Sequence, residues 1–292
     1  MLSRWWFFAR RTAQATLDDN GPGLAAQLAF YFLLALFPAL LFLVALIGVL
    51  PVENVLGRLL TQLSQVAPPD VISILRAQLL SISEGEPLGV LTLGIVGALW
   101  SSSAALNAII QTINAAYNLV ERRPFWKVRA LALMLTVLFA TFIIVSISLV
   151  LVGPALADTV ARALLLGDVF TWTWKIAQWP VVFALMCTGM GIVYFFAPAV
   201  PQRMSEVVPG AILGTVLWLS ASLGFRVYVV RFSSYNETYG TIGGIITVML
   251  WFYLSGLAII VGAELNSEIW KARRADTDGG AGQRPVSFKD QS

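Results

Sequence analysis

The sequence contains no histidine, and its single cysteine is Cys187. Without histidine, the chain lacks the commonest metal ligand and the usual proton switch near neutral pH. One cysteine cannot form a disulfide within the chain. Charged residues make up only 12% of the sequence, whereas soluble domains have about 25%. These absences argue against a histidine-based active site, a disulfide scaffold and an ordinary water-soluble domain.

Hydrophobic residues, in contrast, make up 58% of the 292 residues. A soluble chain could not cover so much apolar surface, so we expect the lipid bilayer to act as its solvent. A helix needs about 20 mainly apolar residues to cross a bilayer. Six stretches come close to this length, near residues 24–50, 88–118, 130–152, 179–197, 207–229 and 240–264. The sequence therefore predicts an all-α integral membrane protein with six transmembrane helices.

Segments outside these spans carry interfacial signals. Residues 1–20 combine aromatic residues with arginines, which predicts a cytoplasmic interfacial helix. Residues 52–87 show two amphipathic patterns, which predict helices that lie on one membrane face or cap the mouth of a cavity. Residues 155–175 form a second predicted excursion, with tryptophans typical of an interface. The polar tail, residues 271–292, is predicted to be disordered beyond Arg274.

Basic residues orient the predicted spans. Lysine and arginine are concentrated at both ends of the chain and in residues 121–129. By the positive-inside rule, both termini are expected in the cytoplasm. This topology places Glu264 near the inner surface. Its candidate partners are then the basic residues Arg122, Arg123 and Arg129.

The second predicted span carries an unusual stripe of polar side chains on one face. At about 100° per residue, a narrow arc collects five of them: Ser103, Asn107, Gln111, Asn114 and Asn118. An amide side chain that faces lipid carries a free-energy cost. The stripe therefore either forms hydrogen bonds to other helices or lines a water-filled path for a substrate. We favour the wet path for Gln111 and Asn114.

The first span adds candidates for the same path. Gln27 and Tyr31 lie one helical turn apart on one face. Pro38 falls in the middle of the span, where a proline frees a backbone carbonyl and usually kinks the helix.

The last span begins with a polar segment, residues 235–240, which we interpret as a turn. Its candidate substrate-path residues are Asn236, Glu237 and Tyr239. Small residues let helices approach closely, and we assign that role to Gly240, Gly243 and Gly244. The span ends at two carboxylates one turn apart, Glu264 and Glu268, and Glu264 is the candidate functional acid.

Four short motifs point to a known family. They are LFP at Leu36–Pro38, ERR at Glu121–Arg123, YG at Tyr239-Gly240 and GAELN at Gly262–Asn266. With them, the chain resembles the YihY/BrkB family of bacterial inner-membrane proteins over about residues 10–272. The resemblance implies six spans with cytoplasmic ends in the bacterial inner membrane. It also implies a link to serum resistance and, for some members, to envelope lipid transport. The family's former label, ribonuclease BN, is regarded as mistaken, and no catalytic residues carry over.

The residues argue independently against a nuclease. RNA cleavage needs a general acid and base, or metal ligands, in a water-accessible site. Neither of the carboxylate pairs Glu264/Glu268 and Asp18/Asp19 resembles a two-metal site. We therefore expect no nucleic-acid partner, no metal and no cofactor. There is also no Walker motif, so the chain itself does not hydrolyse ATP to drive transport.

Three functions remain open. The favoured one is movement of an amphiphile, a lipid or a small solute across or within the membrane, with membrane lipid as a partner. The second is a structural or assembly role in the envelope, in which the polar residues only join helices. The third is an intramembrane enzyme acting on lipid, with Glu264 or Glu237 as acid or base. The favoured function is not enzymatic.

Overall fold

The computed structural model describes residues 2–49, 88–151, 167–231 and 233–281. All regular secondary structure in these ranges is α-helical, which confirms the all-α prediction for this part of the chain. The helices are α1 (Leu2–Asp18), α2 (Gly21–Val49), α3 (Leu88–Ala116), α4 (Phe125–Leu151), α5 (Gly167–Phe196), α6 (Met204–Arg231) and α7 (Ser233–Ala281).

Four segments of these helices are long and apolar enough to cross a membrane. They are Phe125–Ser146, Trp172–Phe196, Met204–Val229 and Gly243–Ala275, while Gly21–Leu36 is a shorter apolar helix. Helix α3 is not among these four segments. A multi-span membrane protein is therefore supported, whereas the predicted number of six spans is not confirmed.

The six long helices form a closed ring. Helix α2 packs on α3, and the contacts continue in chain order through α4, α5 and α6 to α7, which returns to α2. Helix α7 also reaches α3 and α5, and α1 packs across α7 and α2. The last helix therefore contacts at least five of the other six described helices and organises the fold.

The buried core lies at one end of this ring. It includes Leu28 near the start of α2, Ile113 near the end of α3, Leu135 of α4, Tyr194 near the end of α5, and Ile260 of α7. These positions match an up-and-down bundle, in which alternate helices begin and end at the same level. We call the end of the bundle that contains these five core residues the closed end.

Two asparagines in the left-handed region mark helix boundaries at the closed end. Asn20 has a φ of 54° and precedes α2, and Asn118 has a φ of 55° just after α3. Asparagine tolerates this conformation better than most residues. The Leu119 N–H donates to the Asn114 carbonyl at 2.9 Å, which satisfies one of the last carbonyls of α3. Asn118 therefore lies beyond the end of α3 and does not continue the predicted polar stripe.

Some predicted boundaries differ from the structure. The predicted turn at residues 235–240 is wrong, because α7 is helical from Ser233 onward. No proline interrupts that segment, so its backbone hydrogen bonds can continue. The same helix runs to Ala281, past the predicted onset of disorder at Arg274, and residues 282–292 lie outside the described ranges. Helix α5 begins at Gly167, so the end of the predicted 155–175 excursion is helical. The predicted amphipathic helices at 52–87 also lie outside the described residues.

Candidate functional site

An apolar cavity of about 330 Å³ lies between α2, α3, α4, α6 and α7. It lies next to the buried core, further from the closed end of the bundle. Representative wall residues are Phe32, Ala105, Phe139, Trp218 and Phe252. Ligand pockets in proteins are typically about 300–1,000 Å³, so this cavity is large enough for a small ligand or part of a larger one.

The polar side chains in the cavity wall bond within the protein. Ser102 Oγ donates to the Leu99 carbonyl at 3.1 Å, and Thr136 Oγ1 donates to the Ala132 carbonyl at 2.8 Å. Trp218 Nε1 donates to Ser255 Oγ at 3.0 Å. Because these groups already have partners, the wall offers a guest chiefly apolar contact.

Helices α6 and α7 cross closely at the closed end. A Cβ added at Gly210 would collide with the Gly262 carbonyl and with Asn266 Oδ1. The Gly210 N–H donates to Asn266 Oδ1 at 2.8 Å, and the Tyr194 hydroxyl donates to the Ile259 carbonyl at 2.7 Å. Glycine is required here because the backbones touch. The first and last residues of the GAELN motif, Gly262 and Asn266, therefore join two helices.

The predicted packing role of Gly244 is wrong. A Cβ at Gly244 would meet nothing within 4 Å, because the close crossing lies much further along α7. Gly243 is buried. Gly240 lies in α7, as do Asn236, Glu237 and Tyr239, and the side chains at 236–240 are outside the described part of the structure.

A second network ties the 118–124 connection to the end of α5. Asn114 Nδ2 donates to Glu121 Oε2 at 2.9 Å, and the Ala199 N–H donates to Asn114 Oδ1 at 2.8 Å. Arg123 pairs with Glu121 at 2.6 Å and donates to the Ala197 carbonyl at 2.7 Å. The hydrogen bond that Glu121 accepts from Arg123 is the main cause that holds the pKa of Glu121 below its ordinary value. Glu121 and Arg123 of the ERR motif thus cap a helix end.

The residues of the predicted polar stripe differ in how deeply they are buried. Ser103 is fully buried and donates to the Trp100 carbonyl at 2.7 Å. Asn107 is half-buried, Gln111 is exposed and Asn114 is buried. The stripe is therefore not one continuous wall, and the contacts of Asn114 are those of a residue that joins structural elements.

The other path candidates on α2 are also separate from the cavity. Gln27 is exposed, and Tyr31 is half-buried against the core. Pro38 lies inside α2, which continues through it as a helix. Neither Gln27, Tyr31 nor any stripe residue lines the 330 Å³ cavity. Its α3 wall instead uses the neighbouring face, which includes Ser102 and Ala105.

Two carboxylates of α7, Glu264 and Glu268, lie one helical turn apart at the closed end, and both are buried. Glu268 pairs with Arg11 at 3.1 Å and with Lys271 at 3.2 Å. Glu264 is 0% exposed, and neither of its oxygens has a hydrogen-bond partner in the described part of the chain.

The predicted basic partners of Glu264 are placed elsewhere. Arg122 is exposed and Arg123 pairs with Glu121. The Arg129 guanidinium lies 4.0 Å from the centre of the Trp100 ring and donates to the Trp100 carbonyl. The predicted pairing is therefore wrong, because none of these three arginines bonds to either oxygen of Glu264.

Comparison with known proteins decides the family. The family model described as "Virulence factor BrkB" matches residues 12–286, which covers every described helix at least in part. The chain belongs to the BrkB family. The predicted YihY/BrkB resemblance is thus confirmed, and this BrkB-family chain is a membrane protein with several candidate spans. No solved structure matches it.

Named relatives agree with this assignment. The chain is similar to "Putative ribonuclease-like protein YfkH" of Bacillus subtilis (strain 168), with 35% identity over 270 residues, 92% of this chain and 96% of that protein. It is also similar to a "UPF0761 membrane protein" of Xanthomonas oryzae pv. oryzae (strain PXO99A), with 26% identity over 265 residues and 90% of this chain. The match covers 60% of that Xanthomonas protein, so this BrkB-family chain spans about three fifths of its length.

The ribonuclease-like wording belongs to the name of the Bacillus protein. Among the described residues of this BrkB-family chain, no three histidine, cysteine, aspartate or glutamate side chains are grouped to hold a metal ion. Glu264 and Glu268 are both buried, which does not resemble the water-accessible acid and base that RNA cleavage requires.

Proposed function

We propose that this BrkB-family protein lies in the bacterial inner membrane, with both termini in the cytoplasm, and moves an amphiphile such as a lipid across or within the membrane. The observation that carries this proposal is the apolar cavity of about 330 Å³ between five helices. Three of those helices, α4, α6 and α7, contain segments able to span a membrane.

The chemistry of the cavity suits a hydrocarbon chain. A polar solute would lose its hydrogen bonds to water on entering, and the donors of Ser102, Thr136 and Trp218 that could replace them are already bonded within the protein. An apolar chain has no such requirement. It gains dispersion contacts with the aromatic wall. A lipid tail therefore enters at lower cost than a sugar or an ion of similar size.

The closed end implies movement of helices during the cycle. The crossing of α6 and α7 at Gly210 and Gly262 leaves no room even for a methyl group. A guest in the cavity therefore cannot pass between α6 and α7 at this level in this state. Movement of a polar headgroup would require the helices around the cavity to separate, as in alternating access.

One observation favours a second function, a non-transporting role in envelope assembly. Asn114, a predicted path residue, joins two connections by hydrogen bonds. In that alternative the polar groups only stabilise the bundle, and the cavity is a packing defect filled by membrane lipid. The two functions differ in whether the purified protein accelerates lipid movement.

The test is lipid movement in proteoliposomes. Purified protein is reconstituted with a phospholipid that carries a fluorescent headgroup, and a membrane-impermeant quencher reports how much lipid reaches the outer leaflet. We expect faster movement than in protein-free vesicles. Ala105→Trp, which places a large side chain in the cavity wall, should reduce it at least several-fold.

A matched variant controls for the bulk of the new side chain. Val96→Trp lies on the same helix, and Val96 is 60% exposed and does not line the cavity. It should leave lipid movement unchanged. Both variants are compared at equal reconstitution and with melting temperatures measured beforehand. Equal rates in protein-free and wild-type vesicles, or in the Ala105→Trp and wild-type proteins, would refute the proposal.

A further inference from the structure

An apolar groove of about 280 Å³ lies between α5 and α6. Its lining runs from Cys187 to Phe196 on α5 and from Met204 to Ile212 on α6, a length of about 13 Å at the rise of an α-helix. No residue lines both this groove and the 330 Å³ cavity. The groove is therefore a separate site, and we call it the α5–α6 groove.

The α5–α6 groove lies on a surface that faces lipid. Its lining residues belong to two candidate membrane spans, Trp172–Phe196 and Met204–Val229. Three residues at its rim are well exposed, namely Phe196, Met204 and Ile212. An exposed surface on a membrane-spanning helix meets hydrocarbon rather than water. Lipid is therefore the partner that can reach the groove.

The lining of the groove suits a hydrocarbon chain. The Thr188 hydroxyl donates to the Ala184 carbonyl at 2.7 Å, and the other lining residues are apolar apart from the weakly polar Cys187. A Cβ added at Gly191 would lie 3.7 Å from the Ala211 Cβ, so two small residues leave space between the helices. An acyl chain gains dispersion contacts there without losing a hydrogen bond.

A positive charge stands at one end of the groove. Arg203 immediately precedes the lining residue Met204 and is exposed, and no ion pair in the described part of the chain includes its guanidinium. The Arg203 N–H donates to Glu206 Oε2 at 3.1 Å. Glu206 is buried, however, and is paired with Arg273 at 2.6 Å. The charge of Arg203 is therefore left for an external anion.

The other cation at this end is already neutralised. The Arg123 guanidinium donates to the Phe196 carbonyl at 3.2 Å and pairs with Glu121 at 2.6 Å. An apolar groove with an unpaired arginine at its end matches the two parts of a phospholipid, an acyl chain and a phosphate. A guanidinium also binds phosphate with two parallel hydrogen bonds.

We infer that the α5–α6 groove binds one anionic phospholipid from the leaflet at the closed end, with an acyl chain in the groove and the phosphate at Arg203. A choline headgroup carries its own cation beside the phosphate, so it gains less from Arg203 than a headgroup with net negative charge. This lipid stays bound outside the ring of helices. The inference goes beyond the proposed function, because it does not require any lipid to cross the membrane.

Cys187 can report whether the groove is occupied, because it lines the groove and is the only cysteine in the chain. The full-length protein in detergent micelles is titrated with phosphatidylglycerol, or with phosphatidylcholine that carries the same acyl chains. Intact-mass spectrometry gives the rate at which N-ethylmaleimide modifies the thiol. We expect half-maximal slowing at about fivefold less phosphatidylglycerol than phosphatidylcholine, the preference that one arginine gives near an anionic headgroup.

Arg203→Gln should abolish this preference, so that both lipids protect Cys187 at similar concentrations. Arg10→Gln is the matched control, because Arg10 is exposed on α1, which packs on α7 and α2. It removes the same charge and should keep the fivefold preference. Loss of the preference in both variants would overturn the inference, since it would show general attraction of anionic lipid to the protein surface.

Val208→Trp tests the groove itself. Val208 lines the groove and is 48% exposed, whereas Val227 on the same helix is 47% exposed and lies outside the groove. The larger side chain at position 208 should occupy the groove and lower the number of phosphatidylglycerol molecules retained in native mass spectrometry by one. Val227→Trp should leave that number unchanged, and both variants should melt like the wild type.

The inference is overturned if neither lipid slows the modification of Cys187, or if both act at equal concentrations on the wild type. It is also overturned if Val208→Trp retains as many lipids as Val227→Trp. A dimeric protein whose Cys187 resists maleimide without lipid would overturn it as well, because a second copy would then cover the groove. None of these measurements depends on lipid movement, so failure of the proposed function gives a different result.

Discussion

Substituting Gly262 by alanine tests the close crossing of α6 and α7. The new Cβ would lie 2.7 Å from the Gly210 carbonyl oxygen and closer still to the Tyr194 hydroxyl. Overpacking of this kind typically costs about 1–3 kcal/mol. Displacing Tyr194 from the Ile259 carbonyl adds roughly 1 kcal/mol, while alanine regains about 1 kcal/mol of helix propensity. We therefore expect a net loss of about 1–3 kcal/mol of unfolding free energy.

The matched control is Gly244→Ala on the same helix. A Cβ at Gly244 meets nothing within 4 Å, so this variant should be neutral or gain up to about 1 kcal/mol from helix propensity. Thermal and denaturant unfolding in one detergent gives both values under identical conditions. If Gly262→Ala is as stable as Gly244→Ala, the backbones of α6 and α7 do not touch at Gly210 and Gly262 as described.

Three further predictions follow from the polar networks and the topology. Asn114→Leu strands two bonded groups and should cost roughly 2 kcal/mol, whereas Gln111→Leu, at an exposed position, should change the melting temperature little; equal losses would contradict the network. The pKa of Glu121 is lowered in the folded protein, so its stabilising effect is present above its ordinary pKa of 4.5 and disappears as pH falls through the lower folded value. The melting temperatures of wild type and Glu121→Gln should accordingly differ at neutral pH and converge in acid, and a constant difference would refute this. Finally, a cysteine replacing Arg122, in a Cys187→Ser background, should resist an impermeant maleimide applied outside intact cells; labelling there would reverse the proposed orientation.

Composition and local pattern determined the environment and the family. A chain that is 58% hydrophobic and 12% charged can fold only with lipid as its solvent, and long apolar stretches in lipid must be helical. These properties depend on residues close together in the sequence, which is why the all-α prediction holds throughout the described ranges. The LFP, ERR, YG and GAELN motifs likewise identified the BrkB family before any contact was known.

Helix periodicity was not sufficient to assign the roles of individual polar residues. Gln111 and Asn114 share a face of α3, but one is exposed and the other bonds to the connection after α5. Which residues share one face of a helix depends on nearby sequence, whereas which segment packs against that face depends on the tertiary structure. For the same reason the cavity wall at Ser102 and Ala105 carried no sequence signal that separated it from ordinary core.

The tertiary structure alone decided which glycines and carboxylates matter. Gly262 and Gly244 look alike in sequence, yet only Gly262 meets another backbone, because α6 crosses α7 at that level. Arg11 and Glu268 are 257 positions apart in the sequence, and the packing of α1 on α7 brings their side chains to 3.1 Å. Close approach and unpaired burial arise from the packing of distant segments. The sequence could therefore propose Glu264 as a functional acid, while only the fold shows that no described group bonds to its oxygens.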